Sequence, residues 1–353
     1  MSMLKRRIEK NESTLDGSKK WWMPDDSTIA IMEEDRRKKK EKKTSDGETF
    51  TGCWRDKKGD LLPDVLINSG NKRAYTITAK IGEGGFGIIF LGTRNDSITQ
   101  NEWKVALKVV SITMTTEKNQ NHWISKEVFN HQRCCVNDSI LKCYEFFRTP
   151  QNYCFVMEYA YTNMMAILLK KRLMMDELRC AFSQMASAVS VVHSKNIIHH
   201  DIKPENFLMV NTNGTIKLSD FGLSYHVPEN QLCFELCGTP RYMAPEIISP
   251  SLKLTSNSGH SKAVDIWSLG CTLYRMATGN HLFTESTNVL YEKESIFVKL
   301  YRSVLEQPIV FPSEMHPTLQ DLLNIMLERD PLKRATIEQV LKHDFFTFII
   351  NKN

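Results

Sequence analysis

Two patterns of apolar positions divide the chain from residue 75 onward. Short β-type runs, broken by glycine and polar residues, occur at 75–81, 88–91, 105–110, 140–147 and 153–158. β-branched and aromatic residues in such short runs are typical of strands, so these runs predict a small sheet. A helical stretch near 123–134, between the third and fourth runs, predicts one helix packed on that sheet.

After Thr162 the apolar residues recur at i, i+3 and i+4, which predicts helices. The spacing is clearest at 178–192, 263–277 and 319–327. The two patterns together predict an α+β fold with two lobes. A small β-rich N-lobe with one main helix is expected at about 75–160, and a larger, mostly α-helical C-lobe at about 161–346. A cleft is expected where the lobes meet.

The two ends of the chain are expected to lie outside this domain. Residues 1–70 are rich in Lys, Glu, Asp, Ser and Gly and have no sustained apolar period, which is typical of a disordered tail. Residues 347–353 are expected to form a short C-terminal tail. The basic run at 36–43 is compatible with a nuclear-import signal or an anionic docking patch, and also with a solvated stretch that has no specific role.

Composition narrows the class of protein only slightly. The chain has 353 residues, 41% hydrophobic and 25% charged, with a net charge of +5 and no apolar stretch long enough to cross a bilayer. We therefore expect a soluble, cytoplasmic monomer, with the nucleus as the alternative location, and no membrane or nucleic-acid partner. The nine cysteines include no Cys-x-x-Cys pair, so the sequence predicts reduced thiols and neither a disulfide framework nor a zinc site.

A glycine-rich segment at 81–89 is the first candidate for phosphate binding. It reads Ile-Gly-Glu-Gly-Gly-Phe-Gly-Ile-Ile and lies between two strand-like runs. Glycines let backbone N–H groups approach phosphates because no Cβ intervenes. A dinucleotide-binding turn has the same glycines but opens a helix, whereas 88–91 predicts a strand.

Lys108 lies within the apolar run at 105–110. A buried ammonium is costly unless it meets an anion, and nucleotide phosphates are the natural partner. Glu127, nineteen residues further along on the predicted helix, is placed to hold Lys108 by an ion pair. The alternative is that both are ordinary surface residues.

The segment at 199–206 carries the residues that phosphoryl transfer requires. It reads His-His-Asp-Ile-Lys-Pro-Glu-Asn, and an Asp-Phe-Gly sequence follows that begins at Asp220. The reaction needs a carboxylate to accept the hydroxyl proton, hard oxygen ligands for Mg²⁺ and a cation near the moving phosphate. Asp201 and Lys203 are therefore the candidate catalytic residues. Asn206 and Asp220 are the candidate metal ligands.

In their order and spacing, these motifs resemble those of the eukaryotic protein kinase family, over about three quarters of the chain. Ala-Pro-Glu at 244–246, Asp-Ile-Trp-Ser-Leu-Gly at 265–270 and Asp-Pro-Leu-Lys-Arg at 330–334 extend the match. Lys-Pro-Glu-Asn and the Gly-Thr-Pro-Arg-Tyr segment at 238–242 resemble the serine/threonine branch, and parts of the C-lobe more weakly resemble the calcium/calmodulin-dependent group. The resemblance implies a bilobal protein kinase fold that transfers the γ-phosphate of ATP to Ser/Thr hydroxyls of protein substrates, with ATP and Mg²⁺ as cofactors.

The resemblance also implies which residues surround the nucleotide. The adenine is expected between apolar side chains of the two lobes and bonded to the backbone from Glu158 to Ala160, with Met157 as the gatekeeper. The expected nucleotide-binding set is Ile81, Gly82, Glu83, Gly84, Gly85, Phe86, Gly87, Ile89, Ala106, Lys108, Glu127, Met157, Glu158, Ala160 and Leu208.

Other motif residues are implied to have structural roles. Glu246 and Arg334 are expected to form a buried ion pair, and Asp265 is expected to steady the backbone near His199. Thr239 is expected at the mouth of the site.

Two departures from the family pattern concern regulation. Most family members have arginine before the catalytic aspartate, where it binds a phosphorylated activation loop, and this chain has His200. Between His226 and Gly238 the loop contains no Ser, Thr or Tyr. Both halves of the usual phospho-switch are missing, so activity is predicted not to need phosphorylation in the middle of this loop.

A third departure is His131 on the predicted helix, where relatives have an apolar side chain that stacks on the residue equivalent to Phe221. His131 is expected to find a hydrogen-bond partner. The alternative is that its polar ring loosens the active arrangement.

Two other classes of protein are compatible with parts of the sequence. A pseudokinase would keep the fold as a nucleotide-binding or scaffolding module without transferring phosphate. Such proteins generally lack one of a group of residues that this chain retains: Lys108, Glu127, Asp201, Lys203, Asn206 and Asp220. A nucleic-acid-binding protein has only the basic run in its favour. Catalysis is therefore the primary prediction.

Overall fold

The structure is a computed structural model that describes residues 54–85, 87–95, 102–117, 121–256, 258–285 and 294–347. Residues 1–53 of the predicted disordered tail at 1–70, which include the basic run at 36–43, lie outside these ranges. So do residues 348–353 of the predicted C-terminal tail at 347–353. No helix in the part of the chain that the structure describes is both long and apolar enough to cross a bilayer.

The N-lobe is built on a six-stranded antiparallel sheet with the order β3-β4-β5-β6-β8-β7. The strands from β1 to β8 are Trp54–Arg55, Leu61–Leu62, Val65–Ile67, Ala74–Glu83, Ile88–Asn95, Glu102–Ser111, Cys143–Arg148 and Asn152–Glu158. In this register Lys108 on β6 lies opposite Ile89 on β5 and Phe155 on β8. The candidate phosphate-binding lysine is therefore in the middle of the sheet.

Successive residues of β6 point to opposite faces of the sheet, as the pleat of a strand requires. Leu107 joins a buried cluster with Tyr75 and Phe90 on one face. Ala106 joins a second cluster on the other face, where helix α2 (Asn121–Cys134) contributes Ile124. A short helix α1 (Ile112–Glu117) precedes α2. The predicted sheet and its single main helix are confirmed, with α1 as an addition.

The C-lobe is mainly helical, as predicted. Its helices from α3 to α9 are Met164–Leu168, Met175–Ser194, Pro245–Ser251, Ala263–Thr278, Ile296–Glu306, Pro317–Met326 and Ile337–Leu341. Helix α6 (Ala263–Thr278) is at the centre of this lobe, with Trp267 and Leu269 fully buried. It ends where Gly279 adopts a φ of +74°, a conformation that glycine reaches without steric cost.

Two small sheets in the C-lobe place the motif residues. Strand β11 (Phe207–Met209) lies between β9 (Thr162–Asn163) and β12 (Ile216–Leu218), and β10 (Ile197–Ile198) pairs with β13 (Tyr225–His226). The segment at 199–206 connects β10 to β11, and Asp220 follows β12. The motif residues are therefore at strand ends that meet at one edge of the lobe.

The predicted boundary of the tail at residue 70 is wrong. Trp54–Arg55 and Leu61–Leu62 pair as a hairpin, and Val65–Ile67 adds an edge strand to the main sheet. Leu62 and Leu66 are buried in the cluster with Tyr75 and Phe90. Strands of two or three residues show no apolar period, so only contact with the sheet reveals them.

The predicted ion pair between Glu246 and Arg334 braces the C-lobe. The guanidinium binds both carboxylate oxygens, at 2.6 and 3.0 Å, and its side chain is 0% exposed. It also donates to the backbone oxygen of Ala263 at 2.8 Å and lies over the ring of Trp267. The arginine thus ties helix α5 (Pro245–Ser251) to helix α6.

We expect Glu246→Gln to lower the free energy of unfolding by about 3–5 kcal/mol, because it leaves the Arg334 charge buried without its partner. Urea unfolding followed by circular dichroism measures the change. Glu306→Gln is the control, because Glu306 pairs with Arg302 at the surface, where such pairs contribute at most about 1 kcal/mol. Equal losses in the two variants would contradict a special role for the buried pair.

Candidate active site

A buried carboxylate fixes the backbone of the candidate catalytic loop. Asp265, on α6 and 0% exposed, accepts the backbone N–H groups of His199 at 2.8 Å and His200 at 2.9 Å, and the ring N–H of His193 at 2.9 Å. Burial alone would raise the pKa of Asp265, but the bond to His193 and nearby histidines bring it down to about 2. The predicted role of Asp265 is confirmed.

This anchor holds an unusual backbone conformation. His200 has a φ of +63°, which costs a non-glycine residue on the order of 1–3 kcal/mol. Asp201 follows directly. The direction of the Asp201 carboxylate therefore depends on the two bonds that Asp265 accepts.

The carboxylate of Asp201 is the centre of a hydrogen-bond network. Thr239 donates its hydroxyl to Oδ1 at 2.6 Å, and the Lys203 ammonium lies 2.9 Å from Oδ2 and donates to Thr239 at 2.9 Å. Asn206 donates its amide N–H to Oδ2 at 3.0 Å and to the Asp201 backbone oxygen at 2.7 Å. The predicted catalytic pair, one predicted metal ligand and Thr239 are thus in direct contact.

Lys108 connects the two lobes. Its ammonium is 2.6 Å from Glu127 on α2 and 3.1 Å from Asp220 in the C-lobe. Attraction to Lys108 lowers the pKa of the Asp220 carboxyl to about 2. Burial pulls the Lys108 pKa down, but Asp220 and Glu127 outweigh it and the net shift is upward. Lys108 and Asp220 are therefore both charged at neutral pH.

The two predicted metal ligands are neighbours. Ser219, next to Asp220, donates its backbone N–H and its hydroxyl to the backbone oxygen of Asn206, both at 2.9 Å. The Asp220 side chain is 47% exposed and ionised, and Asn206 offers its amide oxygen because its nitrogen is bonded to Asp201. An anionic carboxylate and an amide oxygen are the hard ligands that Mg²⁺ prefers, so these residues fit the ion.

An apolar slot lies beside Lys108. Ala106 and Met157 are buried and face each other across β6 and β8. Ile81, Ile89 and Leu208 are only partly buried and pack against the same cluster. The structure thus assembles in one place the four apolar residues expected around the adenine and the expected gatekeeper, Met157.

The glycine-rich segment forms the turn between β4 and β5. The backbone N–H of Gly84 donates to the oxygen of Gly87 at 2.9 Å. A Cβ on Gly87 would lie 2.4 Å from the backbone oxygen of Val109, so only glycine fits there. Gly82 and Gly85 lie in the same segment, and Phe86 lies outside the described residues.

Two expected nucleotide contacts have other partners for their side chains. The Glu158 carboxylate binds Lys217 at 2.9 and 3.0 Å, and the backbone N–H of Glu158 donates to the backbone oxygen of Lys142 at 2.9 Å. The Glu83 side chain binds Lys80 at 2.8 Å. Both carboxylates are therefore engaged within the protein, and nucleotide contacts through the backbone of Glu83, Glu158 and Ala160 stay predictions.

Lys57 is a residue that sequence reasoning missed. It lies in the turn between β1 and β2, and its ammonium donates to the backbone oxygens of Gly84 and, at 3.1 Å, Gly85. It also lies 3.9 Å from the Glu83 carboxylate. The local signal was a single tryptophan, Trp54, and the pair Leu61–Leu62 on either side of a polar, glycine-containing turn, which is too weak to identify a hairpin.

His131 packs against the Phe221 ring as its position predicts. The two rings are stacked, with centroids 4.9 Å apart and planes at 11°, and the His199 ring meets Phe221 at a steep angle with centroids 5.1 Å apart. The Nε2 of His131 donates to the backbone oxygen of Leu141 at 2.7 Å. The expectation of a hydrogen-bond partner is confirmed. Burial lowers the pKa of His131 to about 4.

The comparisons with known proteins agree with this geometry. A model of the protein kinase domain family matches residues 75–346. The SNF1-like protein kinase ssp2 of Schizosaccharomyces pombe is 30% identical over 81% of this chain and 46% of its own length. The serine/threonine-protein kinase PLK2 of Mus musculus is 28% identical over 82% of this chain and 39% of its own length.

Aurora kinase C of Mus musculus is 30% identical over 76% of this chain and 90% of its own length. The chain spans less than half the length of the first two relatives. With the matching family model and the assembled motif residues, the chain belongs to the protein kinase family.

The pKa of His131 predicts a loss of stability in acid. Between pH 6.5 and about 4 the unfolded chain binds a proton at this ring and the folded chain does not, so stability falls as the pH falls, by about 1.4 kcal/mol per pH unit. We expect His131→Leu to remove this contribution, as urea unfolding at a series of pH values would show. The exposed His122, changed to Gln, is the control, and an unchanged slope in His131→Leu would contradict the assignment.

Proposed function

We propose that this chain is a serine/threonine protein kinase that transfers the γ-phosphate of ATP to Ser/Thr hydroxyls of protein substrates. The observation that carries the proposal is the network around Asp201, in which Lys203, Asn206 and Thr239 all contact one carboxylate. The bonded pair of Lys108 and Asp220 completes the set of groups that phosphoryl transfer requires.

Each group has a role that its position supports. Asp201 orients the substrate hydroxyl and accepts its proton, while Lys203 faces the transferring phosphate. Asp220 and Asn206 would hold Mg²⁺, which neutralises charge on the phosphate oxygens when bound. Lys108, kept in place by Glu127 at 2.6 Å, binds phosphates under the glycine-rich turn.

Removing the charge of Asp220 or Lys108 is expected to slow phosphate transfer strongly. Asp220→Asn and Lys108→Met are each expected to lower kcat by at least about 10²-fold, because positioning and charge stabilisation carry most of the catalysis. Transfer of labelled phosphate to a peptide library measures the rate, with Glu306→Gln as the control. Wild-type protein that binds ATP but transfers nothing would instead show a pseudokinase.

We also infer that activity does not depend on phosphorylation within 227–237. His200, in the position that usually carries arginine, is 4% exposed, and burial lowers its pKa to about 4, so it is neutral at pH 7. The loop already contains an acid that faces α2, since the Glu235 carboxylate lies 3.9 Å from the Lys126 ammonium. A neutral His200 lacks the charge with which arginine binds a phosphate, and residues 227–237 contain no hydroxyl group to phosphorylate. This segment therefore lacks the usual phosphate switch.

Phosphatase treatment of purified wild-type protein is therefore expected to leave its peptide-kinase rate unchanged relative to mock-treated protein. Mass spectrometry before and after treatment identifies any phosphate that is removed. The hydroxyl residues that flank the loop are Ser224, Tyr225, Thr239 and Tyr242. A collapse in rate that follows loss of a phosphate from 227–237 would refute the inference.

The monomeric state, the cytoplasmic location and the lack of a nucleic-acid partner stay predictions from the sequence.

A further inference from the structure

Three side chains that can bind a metal ion meet beneath the activation loop. They are His200 of the candidate catalytic loop, Cys233 of the loop itself and His260 of the segment before α6, and one ligand atom of each lies within 4.8 Å of the others. Their exposed fractions are 4%, 1% and 3%. The backbones of Cys233 and His260 exchange two hydrogen bonds of 2.8 Å, which fixes these two residues side by side.

The tautomer of His200 leaves a lone pair directed at this cluster. Its Nδ1 is 3.1 Å from the backbone oxygen of Leu223, and a carbonyl oxygen only accepts, so Nδ1 carries the proton. In the neutral ring Nε2 then carries a lone pair, 2.8 Å from Nε2 of His260. Metal-binding histidines typically donate their other ring N–H to a carbonyl or carboxylate, as His200 does.

The ring of His260 is buried with one nitrogen unpaired in the part of the chain that the structure describes. The Nδ1 atom of His260 is buried and has no hydrogen-bond partner among the described residues. When Nε2 of His260 binds an ion, Nδ1 carries the ring proton, so this unpaired atom is not itself a ligand. Burial raises the pKa of the Cys233 thiol, while backbone bonds from Glu235 and Phe234 favour the thiolate.

We propose that His200, Cys233 and His260 bind a zinc ion. Two imidazoles and one thiolate suit Zn²⁺ in type and number, with water as the fourth ligand, whereas Mg²⁺ prefers oxygen. On binding, the thiol loses its proton to solvent and its sulfur forms the bond to the ion. Ligand bonds of about 2.0–2.1 Å separate two tetrahedral nitrogens by about 3.3 Å, so the rings must part by about half an ångström.

The zinc site would replace the missing phosphate switch. It ties the activation loop to the catalytic loop at His200, which precedes Asp201, and this consequence rests on the proposed kinase function. The site was invisible in the sequence, because His200 and His260 are 60 positions apart and the cysteine belongs to no Cys-x-x-Cys pair.

Metal content of the full chain tests the site without reference to activity. After stripping with a chelator and dialysis against Zn²⁺ in magnesium buffer, we expect one zinc per wild-type chain. Cys233→Ser and His260→Asn are each expected to weaken zinc binding at least tenfold. Cys135→Ser and His122→Gln, outside the cluster, are the matched controls. No stoichiometric zinc, or undiminished binding in Cys233→Ser, overturns the site.

A second measurement needs no variant and so does not depend on one that folds. Cobalt(II) bound to the stripped wild-type chain is expected to show the visible bands of a tetrahedral site and a thiolate-to-metal charge-transfer band. A spectrum without the thiolate band overturns the proposed ligand set.

Kinase assays separate this inference from the proposed function. A chelator that prefers zinc to magnesium is expected to lower the transfer rate and to expose 227–237 to limited proteolysis, and added zinc is expected to reverse both. A chain that binds zinc but transfers no phosphate refutes the kinase and leaves the site. An active chain that binds no zinc refutes the site, and a rate insensitive to bound zinc refutes the regulatory consequence.

Discussion

The fully buried carboxylate of Asp265 is the constraint on which the candidate site depends. It collects the backbone N–H groups of His199 and His200 and the ring of His193, and so stabilises a left-handed residue next to Asp201. This backbone conformation sets the direction of the Asp201 carboxylate, and its contacts with Lys203, Asn206 and Thr239 depend on that direction. A residue of helix α6 thereby determines the geometry of a loop. Its carboxylate stays ionised because His193 donates a hydrogen bond to it.

An ion pair between Lys108 and Asp220 also joins the two lobes. Lys108 belongs to the sheet and Asp220 to the C-lobe, and their contact of 3.1 Å has a helix carboxylate, Glu127, on its other side. The apolar slot beside them is likewise shared, with Ala106 above and Leu208 below. The site is therefore a property of the closed arrangement of both lobes, which neither lobe contains alone.

The sequence predicted those features that local chemistry determines. The motif residues and the sheet with one main helix follow from residue types and their spacing. The Glu246–Arg334 pair follows from the resemblance to the protein kinase family. The features that it missed depend on contacts between distant segments. Strands of two residues have no period, Lys57 meets the glycine-rich turn only after the hairpin folds, and His260 reaches His200 across 60 positions.

The hairpin that carries Lys57 affects the position of the glycine-rich turn. The family model begins at residue 75, so the clamp on the carbonyls of Gly84 and Gly85 comes from outside the region common to the family. A protein trimmed to residues 75–346 would retain every reacting group but would lose the hydrogen bonds from Lys57 to the glycine-rich turn. The position of the glycine-rich turn thus depends in part on a hairpin outside the matched region, where sequence changes leave the motif residues untouched.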